Sequence, residues 1–271
     1  MDTLLFLAAP FTACLILVVT LSYFGNHILS RGVIFVDIAV AQVAALGTMI
    51  GILLGVAEGT VASSLLSLGF TLIIVSIFAI SKFRHRELSS EVIIGIIYCL
   101  ALALAYLLVD AVPGGSNFVQ KTFTGAILWV TWGDIARTAL IFFVIGVIHL
   151  AVHRRIIAVS EESDKVSTAS RRFYDLLFYI TFGIVVVEAV KIGGIFLVFM
   201  VLIAPAAIAQ FFTQSWGRRF VISWVSGLFG SLIGIYISYR YNFPNGPTIV
   251  CTLGIMLIAV ALLTRRRRLE A

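Results

Sequence analysis

The chain has 271 residues, of which 61% are hydrophobic and 12% charged, with a formal net charge of +6 and a mean hydropathy of +1.11. No single soluble core could hide that much apolar surface, so the composition excludes a soluble globular domain and points to a polytopic membrane protein. The positive charge sits in short clusters between apolar runs, where it acts as a topology signal, so lipid is the expected surrounding and no nucleic-acid partner is expected.

A hydrocarbon core about 30 Å thick takes roughly 20 apolar residues per helix, and the runs supply about eight or nine spans of one all-α transmembrane bundle over residues 1–271. The first, Leu4 to Phe24, follows no basic leader and is too long for the apolar part of a cleavable signal, so it is expected to stay as a helix. Val33 to Val56, Val61 to Ser81 and Val92 to Asp110 come next. The stretch VPGGSNFVQKTFTGAILWVTWGD is too broken by Gly, Pro and polar residues for a crossing and predicts a loop with a short or re-entrant helix. Five further spans are drawn at Ile135 to Val152, Phe173 to Val190, Ile195 to Phe212, Phe220 to Tyr239 and Thr248 to Leu263.

Basic clusters follow only the odd-numbered spans: Arg31; KFRHRE from Lys82 to Glu87; His153 to Arg155 with Arg171 and Arg172; Arg218 with Arg219; and Arg265 to Arg268. Positive-inside then places the N-terminus outside and the C-terminus in the cytoplasm. The longest cytoplasmic loop, residues 153–172, reads HRRIIAVSEESDKVSTASRR and is the natural place for a soluble partner, with SEESDK able to open a short helix. Cys14, Cys99 and Cys251 lie in distant apolar runs and read as small core residues.

Ionisable groups at mid-bilayer cost roughly 3 kcal/mol or more, so each needs a partner, a cavity or a function. Glu91 and Asp110 fall at span ends and read as interfacial. Glu188 and Lys191, three apart on one helix face, read as a structural ion pair. His27 and His149 have no second ligand at helical spacing, so they and Tyr98 read as packing residues. Asp37 and Gln42 are different: FVDIAVAQVAALGTMIGILLG also carries Gly47, Gly51 and Gly55 at four-residue spacing, which favours close helix contact inside the bundle. Two readings of that pair stay open, hydrogen bonding to neighbouring helices or a place on a transport path. No HExxH, GxSxG or GxxxxGK[ST] pattern is present, so an enzyme is not expected, and any ATP must be bound by another chain.

The segment KIGGIFLVFMVLIAPAAIAQFF, followed by SWGRR and YRYNFPNGPTIVCTLGIMLI, resembles the membrane permease of the zinc, manganese and iron ABC importers. EVIIGIIYCLALALAYLL and FTGAILWVTWGDI are similar to further blocks of that family, in the same order along most of the chain. The resemblance implies a helical permease that pairs as a homodimer around a central path, two cytoplasmic ATPase subunits and an extracytoplasmic substrate-binding protein. It implies no cofactor in this chain, ATP on the partner subunits and a divalent metal as cargo. It also makes Ser160 to Ala169 the coupling segment, with Glu161, Glu162, Asp164 and Lys165 as its charged residues, although the segment is shorter than the family's and lacks its A-x-x-x-G ending.

In the family's second span an S-D-A-L-S-H-A motif supplies an Asp and a His four apart that are proposed to hold metal. Aligned on Gly47, the His falls on Gln42 and the Asp on Ile38, with Asp37 one position early. Residues four apart lie about 40° from each other on a helix, while residues five apart lie about 140° apart. Asp37 and Gln42 therefore cannot form a two-ligand site on one regular helix; Gln42 is expected to face the path and Asp37 to hold the helix to its neighbours. The function expected is import of a divalent metal, zinc or manganese, with oxygen donors suiting the harder ion and the absent histidine counting against zinc. Two alternatives remain: a permease of the same architecture for a chelate or other small solute, and an ion-coupled secondary transporter using Asp37 and Glu188.

Overall fold

In a bilayer every backbone polar group must be satisfied within its own segment, so the apolar runs fold as helices and stop where Gly, Pro or charge lets the backbone leave the lipid. The computed structural model describes residues 2–81, 89–161 and 166–269. Among these, the elements are α1 (Asp2–Arg31), α2 (Val36–Leu53), α3 (Val61–Ser81), α4 (Ser90–Leu108), α5 (Gly115–Thr124), a 3-10 turn (Ile127–Trp129), α6 (Trp132–Ser160), α7 (Thr168–Phe212), α8 (Trp216–Tyr241) and α9 (Asn245–Leu269). Eight of these helices are long and apolar enough to cross a membrane. Leu100, Leu104 and Leu107 of α4 and Leu140, Phe143 and Leu150 of α6 are exposed, as suits a multi-pass membrane protein whose solvent is hydrocarbon.

The spans drawn as Phe173 to Val190 and Ile195 to Phe212 both fall within α7, which is interrupted at Gly194 (φ 73°, ψ 166°). Its 45 residues would measure about 67 Å if straight, against a core of about 30 Å. The broken region between α4 and α6 forms the short α5 and the 3-10 turn. The loop expected over residues 153–172 is largely helical: α6 continues to Ser160 and α7 starts at Thr168, leaving 161–167 between them. HRRIIAVS holds no Gly or Pro to stop a helix, so α6 runs about 43 Å over 29 residues and outlasts the apolar core.

The chain divides into two units. One comprises Met1–Ser30, Thr124–Phe143 and Ile192–Ala271. In it, Pro205 cannot donate to Val201 O, and the Ser22 hydroxyl of α1 donates to that carbonyl instead, at 3.5 Å. Asn26 donates to Ser22 O at 2.8 Å and to Ser223 Oγ of α8 at 2.9 Å. Gly234 of α8 lets the helix lie against Ile249 of α9, where a Cβ would be 2.7 Å from the Ile249 Cα. At the break in α7, Gly194 and Gly125 touch backbone to backbone, and a Cβ on Gly194 would lie 2.7 Å from the Gly125 Cα.

The other unit comprises Arg31–Phe123 and Val144–Lys191. Here α2 packs on α3 and α4. Gly47 and Gly51 do supply the close approach: added Cβ atoms would lie 3.1 Å from the Phe70 Cβ and 3.0 Å from the Leu66 Cδ1 of α3. Gly55, grouped with them by spacing, ends α2 instead. It is left-handed (φ 84°), with its N–H on Ile52 O at 2.9 Å and the Val56 N–H on Gly51 O at 2.9 Å, a Schellman stop. Val43, Leu46 and Met49 of α2 form a core with Ala101 and Ala105 of α4 and with Val112.

Candidate functional site

Asp37 sits in the first turn of α2 and Gln42 in its second, at 1% and 2% exposure. The first-turn position sets the carboxyl group against the positive end of the helix. Yet neither Asp37 oxygen completes a hydrogen bond among the described residues, and Gln42 Nε2 has no partner either. Among the described residues, no hydrogen bond to a neighbouring helix is seen for the expected anchoring of α2 through Asp37.

α2 is continuous from Val36 to Leu53, so Asp37 and Gln42 lie about 140° apart around it. Gly47 and Gly51 lie about 80° and about 40° from Asp37 around the helix, and about 140° and about 180° from Gln42. The glycine face rests on Leu66 and Phe70 of α3, so Gln42 is directed away from α3 while Asp37 leans towards it. Further along the same face, Ser67 Oγ of α3 donates to Ala44 O at 3.0 Å. Among the described residues no three His, Cys, Asp or Glu side chains converge.

Of the other charges in or beside the spans, Glu188, Lys191 and Glu91 have partners. Lys191 Nζ donates to Glu188 Oε1 at 2.6 Å and to Ser64 Oγ of α3 at 3.3 Å. Glu91 accepts the Ile34 N–H ahead of α2, tying α4 to that turn, and Asp110 is exposed just past α4. His149 Nε2 meets Thr181 Oγ1 at 2.7 Å, and His27 stacks on Trp216 with ring centroids 4.6 Å apart.

Of the residues read into the coupling segment, Glu161 is exposed at the end of α6, and Glu162, Asp164 and Lys165 lie outside the described residues. What the sequence did not disclose is the cluster on either flank. Arg31, in the last turn of α1, pairs through Nη1 with Asp175 Oδ1 of α7, and the two side chains are 0% and 1% exposed. Its Nε donates to Ser160 Oγ, the last residue of α6, at 3.1 Å, and its guanidinium lies 4.0 Å over the Phe178 ring. Arg31 reads in sequence as a topology charge. The available signal was Asp175, an acid inside the span drawn from Phe173, which required a cation somewhere.

Three comparisons bear on this arrangement. The profile of the ABC 3 transport family matches residues 3–264. A Haemophilus influenzae protein named "probable iron transport system membrane protein" is 31% identical over 65% of this chain and 63% of its own length. The Listeria monocytogenes "manganese transport system membrane protein MntC" is 25% identical over 62% of this chain and 60% of its own. The chain thus spans under two thirds of either relative. The structure of PsaBC from Streptococcus pneumoniae in complex with Fab shares the fold, with a TM-score of 0.81 at 21% identity, over 100% of this chain and 98% of that one.

Proposed function

Because the chain belongs to the ABC 3 transport family over nearly its whole length, we propose that it is the membrane-spanning permease subunit of an ATP-binding cassette importer for a divalent metal ion. That family match is the observation that carries the reading. The partners it calls for are a second copy of this chain, a cytoplasmic ATPase dimer and an extracytoplasmic substrate-binding protein. The segment from Ser160 to Ala169 is the surface the ATPase engages.

The relatives' names support a metal cargo, and the α2 residues supply a chemical reason. Asp37 is buried with no hydrogen-bond partner among the described residues, and a passing dication offsets the cost of such a group where a neutral solute cannot. Gln42 contributes an amide oxygen about 140° round the helix, so the two groups cannot hold one ion together and any single contact is weak enough to release. Oxygen donors without a histidine favour manganese over zinc.

The test is manganese uptake into proteoliposomes holding the chain with its ATPase. Uptake should need ATP, fall several-fold in Gln42→Ala, and fall further in Asp37→Asn, with both variants still assembling. Normal uptake by both variants removes α2 from the path. Accumulation by the chain alone on a proton gradient would replace the importer with the secondary transporter, and uptake only of a chelate would replace the free ion as cargo.

A further inference from the structure

We propose that Arg31 is the positioning residue of the coupling step: one guanidinium ties both flanks of the 161–167 segment to the end of α1. The coupling role rests on the importer reading, whereas the tie itself rests on geometry. A charge that only sets topology works from the water side of the interface, and Arg31 has a side chain with 0% exposure. An ion pair that only stabilises needs one partner. Arg31 instead divides its contacts between the last residue of α6, through Ser160, and the third turn and beyond of α7, through Asp175 and Phe178.

These two flanks are separated in sequence only by residues 161–167. Arginine presents its donors in a rigid planar fork, so Nε on Ser160 and Nη1 on Asp175 fix the two flanks relative to each other. They cannot spread without breaking either the Nε–Ser160 bond, which leaves a buried donor unmet, or the ion pair, which leaves a buried charge unpartnered. A push on the segment is therefore delivered to α1 as a displacement of all three helix ends, instead of being absorbed by α6 and α7 moving apart. Lysine in the same place keeps the charge and loses the fork.

Two measurements test this. In a background without native cysteines, spin labels at Glu161→Cys and Ala169→Cys, both exposed positions, report the distance across the segment. The parent distribution should be narrow. Ser160→Ala, which keeps the ion pair and so protects folding, should broaden it, and Arg31→Lys should broaden it further. A distribution unchanged in both variants overturns the tie.

In the assembled importer the readout is ATP hydrolysed per manganese ion imported. A several-fold rise in that ratio in either variant supports the coupling role. Hydrolysis and uptake that both stay normal, or that fall together at a constant ratio, overturn it. A parent complex whose manganese uptake does not depend on ATP overturns the importer reading and the coupling role with it, while the label distances still decide whether Arg31 ties the flanks.

Discussion

Replacing Arg31 by methionine should cost far more than a helix-end position suggests. The apolar stem is kept, but Asp175 is left as a buried carboxylate with its partner gone, and breaking a buried pair from one side costs about 3–5 kcal/mol. The reciprocal Asp175→Leu strands the guanidinium, which still has Ser160 at 3.1 Å and the Phe178 face at 4.0 Å, so about 3 kcal/mol is expected. Were the two changes independent, the double variant would lose about 6–8 kcal/mol. Replacing both members of a buried pair by apolar groups is instead neutral or stabilising by about 1–4 kcal/mol, so the double variant should unfold close to the parent. The resulting coupling of about 6 kcal/mol exceeds the roughly 0.5–3 kcal/mol usual for neighbouring residues. Unfolding of the purified chain in mixed micelles titrated with SDS, followed by tryptophan fluorescence, measures all four corners of the cycle. Single variants within about 1 kcal/mol of the parent, or losses that add in the double variant, would show that Arg31 and Asp175 are not a buried, mutually dependent pair. The double variant also separates stability from transmission, since it should recover its fold and still waste ATP.

Other perturbations discriminate further features. Gly194→Ala should abolish monodisperse protein, because φ 73° with ψ 166° is a conformation essentially restricted to glycine and the new Cβ would lie 2.7 Å from the Gly125 Cα; Gly217→Ala, with nothing within 4 Å of its Cβ, should leave the yield unchanged. Lys191→Met should lower the unfolding free energy in SDS by no more than about 1 kcal/mol, since the Lys191–Glu188 pair is 31% and 12% exposed and water shares its stabilisation; a loss as large as that in Arg31→Met would show the pair to be shielded in the membrane. Single cysteines at Glu161 and Asn242, both exposed, should label from opposite faces of the membrane in a background without Cys14, Cys99 and Cys251. Opposite labelling requires three crossings between them, hence two within α7, whereas labelling from one face makes α7 a single tilted span and the total eight.

Helix boundaries were legible where the stop signal is local. Val61 to Ser81 is α3 as drawn, and the Lys191–Gly193–Gly194 stretch marked the break that Gly194 makes in α7. Where no breaker is present hydropathy misleads, because it ends a helix when the lipid ends, and α6 runs past that point to Ser160. The same divide governs the charges. Glu188 and Lys191 could be paired on paper because they are three residues apart on one helix. Arg31 and Asp175 are 144 positions apart, so only the folded chain brings them together. Asp37 and Asp175 look alike in the sequence, each an acid within the first five residues of a predicted apolar span. In the fold, Asp175 receives a guanidinium and Asp37 receives no donor among the described residues. A buried acid already neutralised by a fixed cation has little left to offer a mobile one, while an acid buried without any donor is stabilised by a cation in transit. On the proposed importer reading, that difference is what separates Asp175, held by Arg31, from Asp37, the candidate for the cargo's route, and no pattern of residue types along the chain could have sorted them.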